Sequence, residues 1–197
     1  MDYRLNLNNI ITAWSGHRDF ANWLVEHVKP ETTVELGVDY GFSLFSFAEP
    51  RIGQVYGIDL FTGDEHSGAK NASVQHKSVL DFVAANNLDH VHVLRQDFNE
   101  AADSWLHAID ILHIDGLHTY DAVRNDFYTW SPFMKPDGVI LMHDVCAWPG
   151  VHQLYNELEI PKIYFEHSAG LGVLCKNPEI LDKIAEAWPI AHRGNRA

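Results

Sequence analysis

Five apolar runs, each long enough for one buried strand, alternate along this chain with segments of helical periodicity. The helical spacing is clear at Val123, Phe127 and Trp130, which fall on one face of a helix. Strands that alternate with helices form a parallel sheet with helices on both faces. The pattern therefore predicts an α/β fold, a Rossmann-like three-layer sandwich. The strand-like runs occupy residues 32–37, 54–60, 90–97, 109–115 and 137–144.

The end of the chain departs from this alternation. Residues 162–176 resemble two strands joined by a short glycine-containing loop, which predicts an antiparallel pair. We therefore expect a seven-stranded, mostly parallel sheet with an antiparallel last strand. The 197 residues favour a single domain. Within it we distinguish an N-terminal helical segment at 1–30, a ligand-binding core at 31–176, and a C-terminal helix and tail at 177–197.

The charge balance restricts the partners of the protein. With 27 acidic residues against 14 basic ones, the net charge is -13, which disfavours binding to nucleic acid or to an anionic membrane. The first residues show no secretory signal, and Cys146 and Cys175 lack metal-type spacing. We predict a cytoplasmic protein that acts on a small-molecule or glycan substrate, and the sequence leaves open whether it forms a homodimer.

Polar residues and glycines follow the first three strands, at the sheet edge where such folds bind ligands. A helix starting near Phe42 would present free N–H groups there. Asp59 ends the second strand, where an acid can accept hydrogen bonds from both ribose hydroxyls. Asp97 and Phe98 end the third strand and can contact the amino group and ring face of adenine. The candidate residues of this edge are Glu35, Gly37, Gly41, Ser43, Asp59, Asp97 and Phe98.

The combination of these signals indicates an adenosine-containing ligand. The dinucleotide fingerprint G-x-G-x-x-G is absent after the first strand, where the sequence is VELGVDYGFS. A ligand that has no pyrophosphate needs less of that loop. The sequence therefore favours S-adenosylmethionine over a nicotinamide dinucleotide.

Five segments together carry a family resemblance. They are VELGVDYGFS, YGIDLFTGDEHSG, IDILHIDGLHTYDAVRNDFYTW, PDGVILMHD and GLGVLCK. Over roughly residues 15–176 the chain resembles the class I S-adenosylmethionine-dependent methyltransferases, and within them the methyltransferase 24 group. The resemblance implies that Glu35 and Gly37 face the methionine part of the cofactor, that Asp59 holds the ribose and that Asp97 lies near the adenine. Asp115 then borders the same cofactor.

The chain is also similar to metal-dependent sugar O-methyltransferases of this class. In these relatives an aspartate that ends the fourth strand and two adjacent acids that end the fifth bind magnesium, and a histidine acts as the base. The resemblance maps the metal ligands to Asp115, His143 and Asp144, and the base to His118. Because His143 stands where an acid is expected, the site suits manganese, zinc or iron better than magnesium.

The sequence LHIDGLHTYDAV therefore places a candidate catalytic pair, Asp115 and His118, beyond the fourth strand. A histidine near its usual pKa of ~6.5 can remove the proton of an acceptor hydroxyl. The structural alternative is that Asp115 caps the next helix and that His118 is its hydrogen-bond partner. For His143 we expect a structural hydrogen bond to the loop after the fourth strand more than metal ligation.

The predicted function is methyl transfer from S-adenosylmethionine to a hydroxyl oxygen of a sugar or small metabolite, with or without a divalent metal. Two alternatives stay open at this point. One is a non-catalytic module that binds adenosine or S-adenosylmethionine. The other is a related Rossmann-like enzyme with different chemistry.

Overall fold

The computed structural model describes residues 4–194. The strands of this part are β1 (Thr32–Leu36), β2 (Gln54–Ile58), β3 (Gly63–Asp64), β4 (Gly68–Ala69), β5 (Val91–Leu94), β6 (Ile109–Ile114), β7 (Met134–His143), β8 (Lys162–Phe165), β9 (Leu171–Cys175) and β10 (His192–Arg193). The α-helices are α1 (Arg18–Val28), α2 (Phe42–Ala48), α3 (Ala72–Ala85), α4 (Phe98–Asp103), α5 (Tyr120–Trp130), α6 (Pro149–Glu157) and α7 (Pro178–Ala187). Short 3-10 helices cover Ala13–His17 and Ser131–Phe133.

The main sheet confirms the predicted α/β class and its mostly parallel strands. Its strand order is β10-β8-β9-β7-β6-β1-β2-β5. Strands β1, β2, β5, β6 and β7 pair in parallel, whereas β9 runs antiparallel to both β7 and β8. The predicted number of seven strands is wrong by one, because β10 adds an eighth strand antiparallel to β8. Two residues are too few to show strand periodicity in a sequence.

The core lies on both faces of this sheet. Neighbouring strand residues point to opposite sides, so Ile111 and Leu112 of β6 belong to two different hydrophobic clusters. The cluster around Ile111 includes Leu24 of α1 and Ile184 of α7. The cluster around Leu112 includes residues of α5 and α6, such as Leu154. These two packed faces form the predicted three layers.

The parallel strands end together at one edge, which brings their following loops into contact. The backbone N–H of Asp115, just after β6, donates to the carbonyl of Leu36 at the end of β1 over 2.8 Å. The polar loop predicted at 61–73 contains β3 and β4, which form a small sheet of their own. This hairpin requires glycine, because a Cβ on Gly63 (φ 68°) would lie 1.9 Å from the carbonyl oxygen of Gly68.

The segment before β1 packs onto the side of the sheet. Helix α1 buries Phe20, Ala21, Leu24 and Val25, and it ends at Lys29 in a left-handed conformation just before Pro30. Arg18 and Glu49 form an ion pair of 2.5 Å that ties α1 to the end of α2. None of the helices between residues 4 and 194 combines the length and the apolar composition needed to cross a membrane.

Candidate active site

A cavity of about 480 Å³ opens at the carboxyl ends of the parallel strands. The loops after β1, β2, β5, β6 and β7 line it, and residues 10–13 cover part of it. Nine of the residues predicted from the sequence border this cavity, whereas Glu35 and Gly41 do not. The nine are Gly37, Ser43, Asp59, Asp97, Phe98, Asp115, His118, His143 and Asp144.

Gly37 occupies a position that only glycine fits. Its φ of 93° is in the left-handed region, and a Cβ there would lie 2.0 Å from the backbone oxygen of Asp115. The absence of a side chain lets the ends of β1 and β6 approach each other. Gly41 (φ 84°) has a different task from the one predicted, because it forms the turn before α2 and faces the ring of Phe45.

Glu35 does not border the cavity, contrary to the prediction that it faces the cofactor. Its side chain is fully buried, and Oε1 lies 2.7 Å from Nδ1 of His113, which is equally buried. Nε2 of His113 accepts a hydrogen bond of 3.1 Å from the indole of Trp14, so Nδ1 is the protonated nitrogen and donates to Glu35. Burial raises the pKa of Glu35, and the bond from His113 opposes this rise. The three side chains form a closed internal network.

Asp59 borders the cavity and also organises the loops that form it. Oδ2 accepts hydrogen bonds of 2.9 Å from the backbone N–H groups of Val38 and Asp39. Oδ1 accepts a 2.6 Å bond from the N–H of Phe61. A carboxylate offers about four acceptor sites, so Asp59 retains capacity for a ligand hydroxyl. The sequence alone did not predict that this carboxylate joins the loops after β1 and β2.

The opposite end of the cavity contains Asp97, Phe98 and an acid that the sequence analysis missed, Asp126. Asp97 caps α4 by accepting a 2.8 Å hydrogen bond from the N–H of Asn99. Asp126 is only 6% exposed. A signal for it was present, because Asp126 stands among Val123, Phe127 and Trp130 on the face of α5 where only apolar residues are expected.

The candidate catalytic pair lies on the wall of this cavity. Nε2 of His118 is 2.7 Å from Oδ2 of Asp144 and 3.9 Å from Oδ1 of Asp115. Burial lowers the pKa of His118, but the two carboxylates outweigh burial and raise it to about 9. The pKa of His118 thus lies above the ordinary value expected from the sequence, because Asp115 and Asp144 both stabilise the protonated ring.

His143 serves as an internal cation. Its Nδ1 is 3.2 Å from Oδ1 of Asp115, and its Nε2 is 3.0 Å from the carbonyl oxygen of Ser168. Both partners only accept hydrogen bonds, so both ring nitrogens carry protons. Burial lowers the pKa of His143, and the carboxylates of Asp115 and Asp144 raise it to about 10.

Both ring nitrogens of His143 already have partners, and metal ligation by His143 stays a prediction. The structural hydrogen bond that we expected as the alternative is present. Among the described residues, one group has the composition and spacing of a metal site, and it consists of Asp115, His118 and Asp144. One ligand atom from each lies within 4.8 Å of the others.

Two further residues, His66 and Trp148, surround His118, and neither was among the predicted site residues. Nδ1 of His66, from the β3–β4 hairpin, lies 3.1 Å from Nδ1 of His118. The indole of Trp148 stacks on both rings, with centroid distances of 4.1 Å to His66 and 5.0 Å to His118. These contacts come from segments far apart in the chain, so sequence spacing could not reveal them.

The fold and the cavity define a class of protein, and comparisons with solved structures agree with it. An O-methyltransferase from Bacillus cereus in complex with S-adenosylhomocysteine superposes with a TM-score of 0.62 at 14% identity, over 89% of this chain and 84% of that one. The O-methyltransferase TomG from Streptomyces achromogenes, in complex with S-adenosylmethionine, gives 0.58 at 15% identity, over 84% and 88%. The fold is therefore that of the class I S-adenosylmethionine-dependent methyltransferases.

The family follows from the sequence comparison. The model of the methyltransferase 24 family, described as a methyltransferase domain, matches residues 34–145, more than half of the chain. The chain belongs to this family. The uncharacterised protein y4gI of Sinorhizobium fredii (strain NBRC 101917 / NGR234) is 35% identical over 188 residues, which are 88% of this chain and 20% of that protein. The chain thus spans about a fifth of the length of that relative.

Proposed function

We propose that this protein transfers a methyl group from S-adenosylmethionine to a hydroxyl oxygen of a sugar or another small metabolite. The observation that carries the proposal is the pair of His118 and Asp144 on the wall of the cavity that also contains the strand-end acids. A module that only binds adenosine needs those acids. Such a binding module does not need an imidazole that a carboxylate orients on the wall of the cavity.

The cavity fits the proposed methyl donor. Its volume of about 480 Å³ is within the range of roughly 300–1,000 Å³ that is usual for small-molecule sites. Gly37 leaves room for close approach to the backbone, Asp59 offers acceptor oxygens for hydroxyls, and Phe98 offers an aromatic face. When bound, S-adenosylmethionine supplies an electrophilic methyl group on a positively charged sulfur.

His118 is the proposed base, and the geometry indicates which of its nitrogens acts. Asp144 holds Nε2, so Nδ1 is the nitrogen that takes the proton, and the acceptor hydroxyl has to replace His66 as the neighbour of Nδ1. The proton of the acceptor hydroxyl moves to Nδ1 as the oxygen forms its bond to the methyl carbon. The electrons of the broken carbon–sulfur bond stay on sulfur. Asp144 then stabilises the imidazolium of His118.

A divalent cation would be held by Asp115, His118 and Asp144 and would polarise the acceptor hydroxyl. Two carboxylates and one imidazole suit manganese or zinc better than magnesium. The cation would have to replace the proton on His118. Because Asp144 already orients the imidazole of His118 for proton transfer, we propose that the reaction does not require a metal.

Chelation tests this part of the proposal. We expect turnover to survive exhaustive treatment with EDTA, because His118, oriented by Asp144, removes the proton of the acceptor without a cation. Added manganese or zinc should bind with release of a proton from His118, measured as the dependence of the binding heat on the buffer. Loss of turnover on chelation, with recovery on return of one divalent ion, would show that the metal is required.

The methyl-transfer proposal is tested with purified protein and methyl-labelled S-adenosylmethionine. We expect titration calorimetry to detect binding of S-adenosylhomocysteine, and we expect the label to transfer to at least one sugar in a panel of hydroxyl acceptors. Gly37→Val is the matched variant, since its side chain would meet the backbone of Asp115 and close the cofactor end. Absence of any binding by the wild-type protein would overturn the proposal. Binding without transfer to any acceptor would favour the non-catalytic module.

A further inference from the structure

Asp126 is a buried acid that the proposed reaction leaves without a role. It lies on the buried face of α5, is 6% exposed, and borders the cavity. Of the residues that the structure describes, none forms an ion pair with it. Arg124, two positions earlier on α5, turns outward and lies over the ring of Tyr128 at 4.9 Å. A carboxyl group that is this buried usually has a compensating partner.

The surroundings of Asp126 place it at one end of the cavity, beside Phe98. A Cβ built on Gly116 would lie 2.8 Å from the Phe98 ring and 3.2 Å from Oδ2 of Asp126. The ring of Phe98 and the carboxyl group of Asp126 therefore both lie close to the backbone of Gly116. Phe98 follows Asp97 at the end of β5, the side of the site where the family resemblance expects the adenine. Asp126 therefore faces the expected position of the base.

The charged groups around Asp126 favour its neutral form. Burial raises the pKa of Asp126 to about 7, a hydrogen bond from Asn125 of α5 opposes this rise, and the negative charge of Asp97, before α4, adds to it. Within residues 4–194, no charged group of β6 or α6 contributes to the shift. Near neutral pH a large part of the population thus carries a carboxylic acid that can both donate and accept a hydrogen bond.

We propose that Asp126, as a neutral carboxylic acid, recognises the edge of the adenine base of the methyl donor. Its O–H donates to a ring nitrogen, and its C=O accepts from the exocyclic amino group. This inference rests on the proposed function, because it assumes that the cavity binds an adenosine. Asp126 is then a specificity-determining residue.

The hydrogen-bonding groups of adenine determine which protonation state of Asp126 can bind the base. Adenine presents an acceptor nitrogen next to an amino donor, which a neutral acid complements on both sides. An ionised Asp126 would face the adenine ring nitrogen without a proton to donate. Binding should therefore weaken at high pH.

The experiment measures the affinity for S-adenosylhomocysteine by calorimetry between pH 6 and pH 9. The proteins are the wild type, Asp126→Asn, Asp126→Leu and Asp121→Asn. Asparagine keeps one donor and one acceptor at all pH values and is close in shape to aspartate. Asp121→Asn makes the same chemical change at an exposed position of α5 outside the cavity. Circular dichroism verifies that each variant is folded.

For the wild type we expect affinity for S-adenosylhomocysteine to fall as pH rises, approaching roughly tenfold per unit well above the pKa of Asp126. Asp126→Asn should bind within about threefold of the wild type at pH 6 and lose this part of the pH dependence. Asp121→Asn should behave as the wild type. Asp126→Leu should bind at least about tenfold more weakly at pH 6.

Two results would overturn the role of Asp126 while leaving the proposed function intact. One is equal affinity of the wild type and a folded Asp126→Leu. The other is the same pH dependence in the wild type and Asp126→Asn. Failure of the wild type to bind S-adenosylhomocysteine at any pH would overturn the proposed function, and with it this inference.

Discussion

Two imidazole–carboxylate pairs in this molecule have the same separation and opposite surroundings. His113 and Glu35 lie 2.7 Å apart, and both side chains are 0% exposed. His118 and Asp144 also lie 2.7 Å apart, but their side chains are 16% and 11% exposed and border the cavity. In the closed pair, the indole of Trp14 donates to the second nitrogen of the imidazole. In the open pair, His118 and Asp144, the second nitrogen lies 3.1 Å from Nδ1 of His66. The pairing of groups alone thus does not indicate catalysis, and the position of the open pair on the cavity wall distinguishes it.

The largest effect is expected from breaking the open pair. His118→Ala should lower kcat by about 10²–10⁴-fold, the usual contribution of a general base, and leave the affinity for S-adenosylhomocysteine near that of the wild type. Because the pKa of His118 is raised to about 9, its base form grows as pH rises. Wild-type turnover should therefore increase with pH up to about 9, and the variant should lack this increase. Initial rates between pH 6 and pH 10 measure both effects.

His118→Gln serves as the control, since it retains a hydrogen-bond donor toward Asp144 without a proton-accepting imidazole. It should be as slow as His118→Ala. A joint fall of kcat and cofactor affinity in His118→Ala would show that His118 and Asp144 stabilise the structure, as His113 and Glu35 do, and that His118 is not the base.

Breaking the closed pair should affect stability more than chemistry. Glu35→Ala leaves the buried N–H of His113 without an acceptor and opens a cavity between β1 and β6, which should cost about 3 kcal/mol in the free energy of unfolding. Glu35→Gln keeps an acceptor oxygen and should cost less. Urea denaturation measures the free energies, and kcat of the folded fraction should change little. A large fall in kcat with unchanged stability would contradict this assignment.

The smallest effect is expected from His66, the neighbour of the open pair. His66→Ala removes the hydrogen bond to Nδ1 of His118 and one ring of the stack with Trp148. We expect about a tenfold lower kcat, equivalent to the loss of about one hydrogen bond near 1.4 kcal/mol. His66→Gln, which can still hydrogen bond, should recover most of the rate at the same KM. An effect on KM alone would assign His66 to acceptor binding.

The fold was predictable to the extent that it depends on long runs of apolar residues. The buried strands β1, β6 and β7 are such runs, and the antiparallel β9 follows from the glycine-containing loop before it. The short strands β3, β4 and β10 have two residues each and carry no periodic signal. They form because packing elsewhere brings them into register.

The site was predictable where position at a strand end is sufficient, as for Asp59, Asp97 and Asp115. It was not predictable where the direction of a side chain decides, as for Glu35, which points into the core. His143 became a cation because of Asp115 and Ser168, which lie 28 and 25 residues away in sequence. Asp126 was missed although it could have been predicted, because an acid on the apolar face of α5 is visible in the sequence.

The β3–β4 hairpin has a further consequence for how such a protein can change its substrate. It belongs to a sheet of its own, closed by the tight approach of Gly63 to Gly68. It brings His66 against His118 and Trp148, whereas Gly37, Asp59 and Asp97 of the cavity follow strands of the main sheet. We expect that exchange of this hairpin changes the surroundings of His118, and with them the accepted hydroxyl, while the residues at the strand ends stay in place.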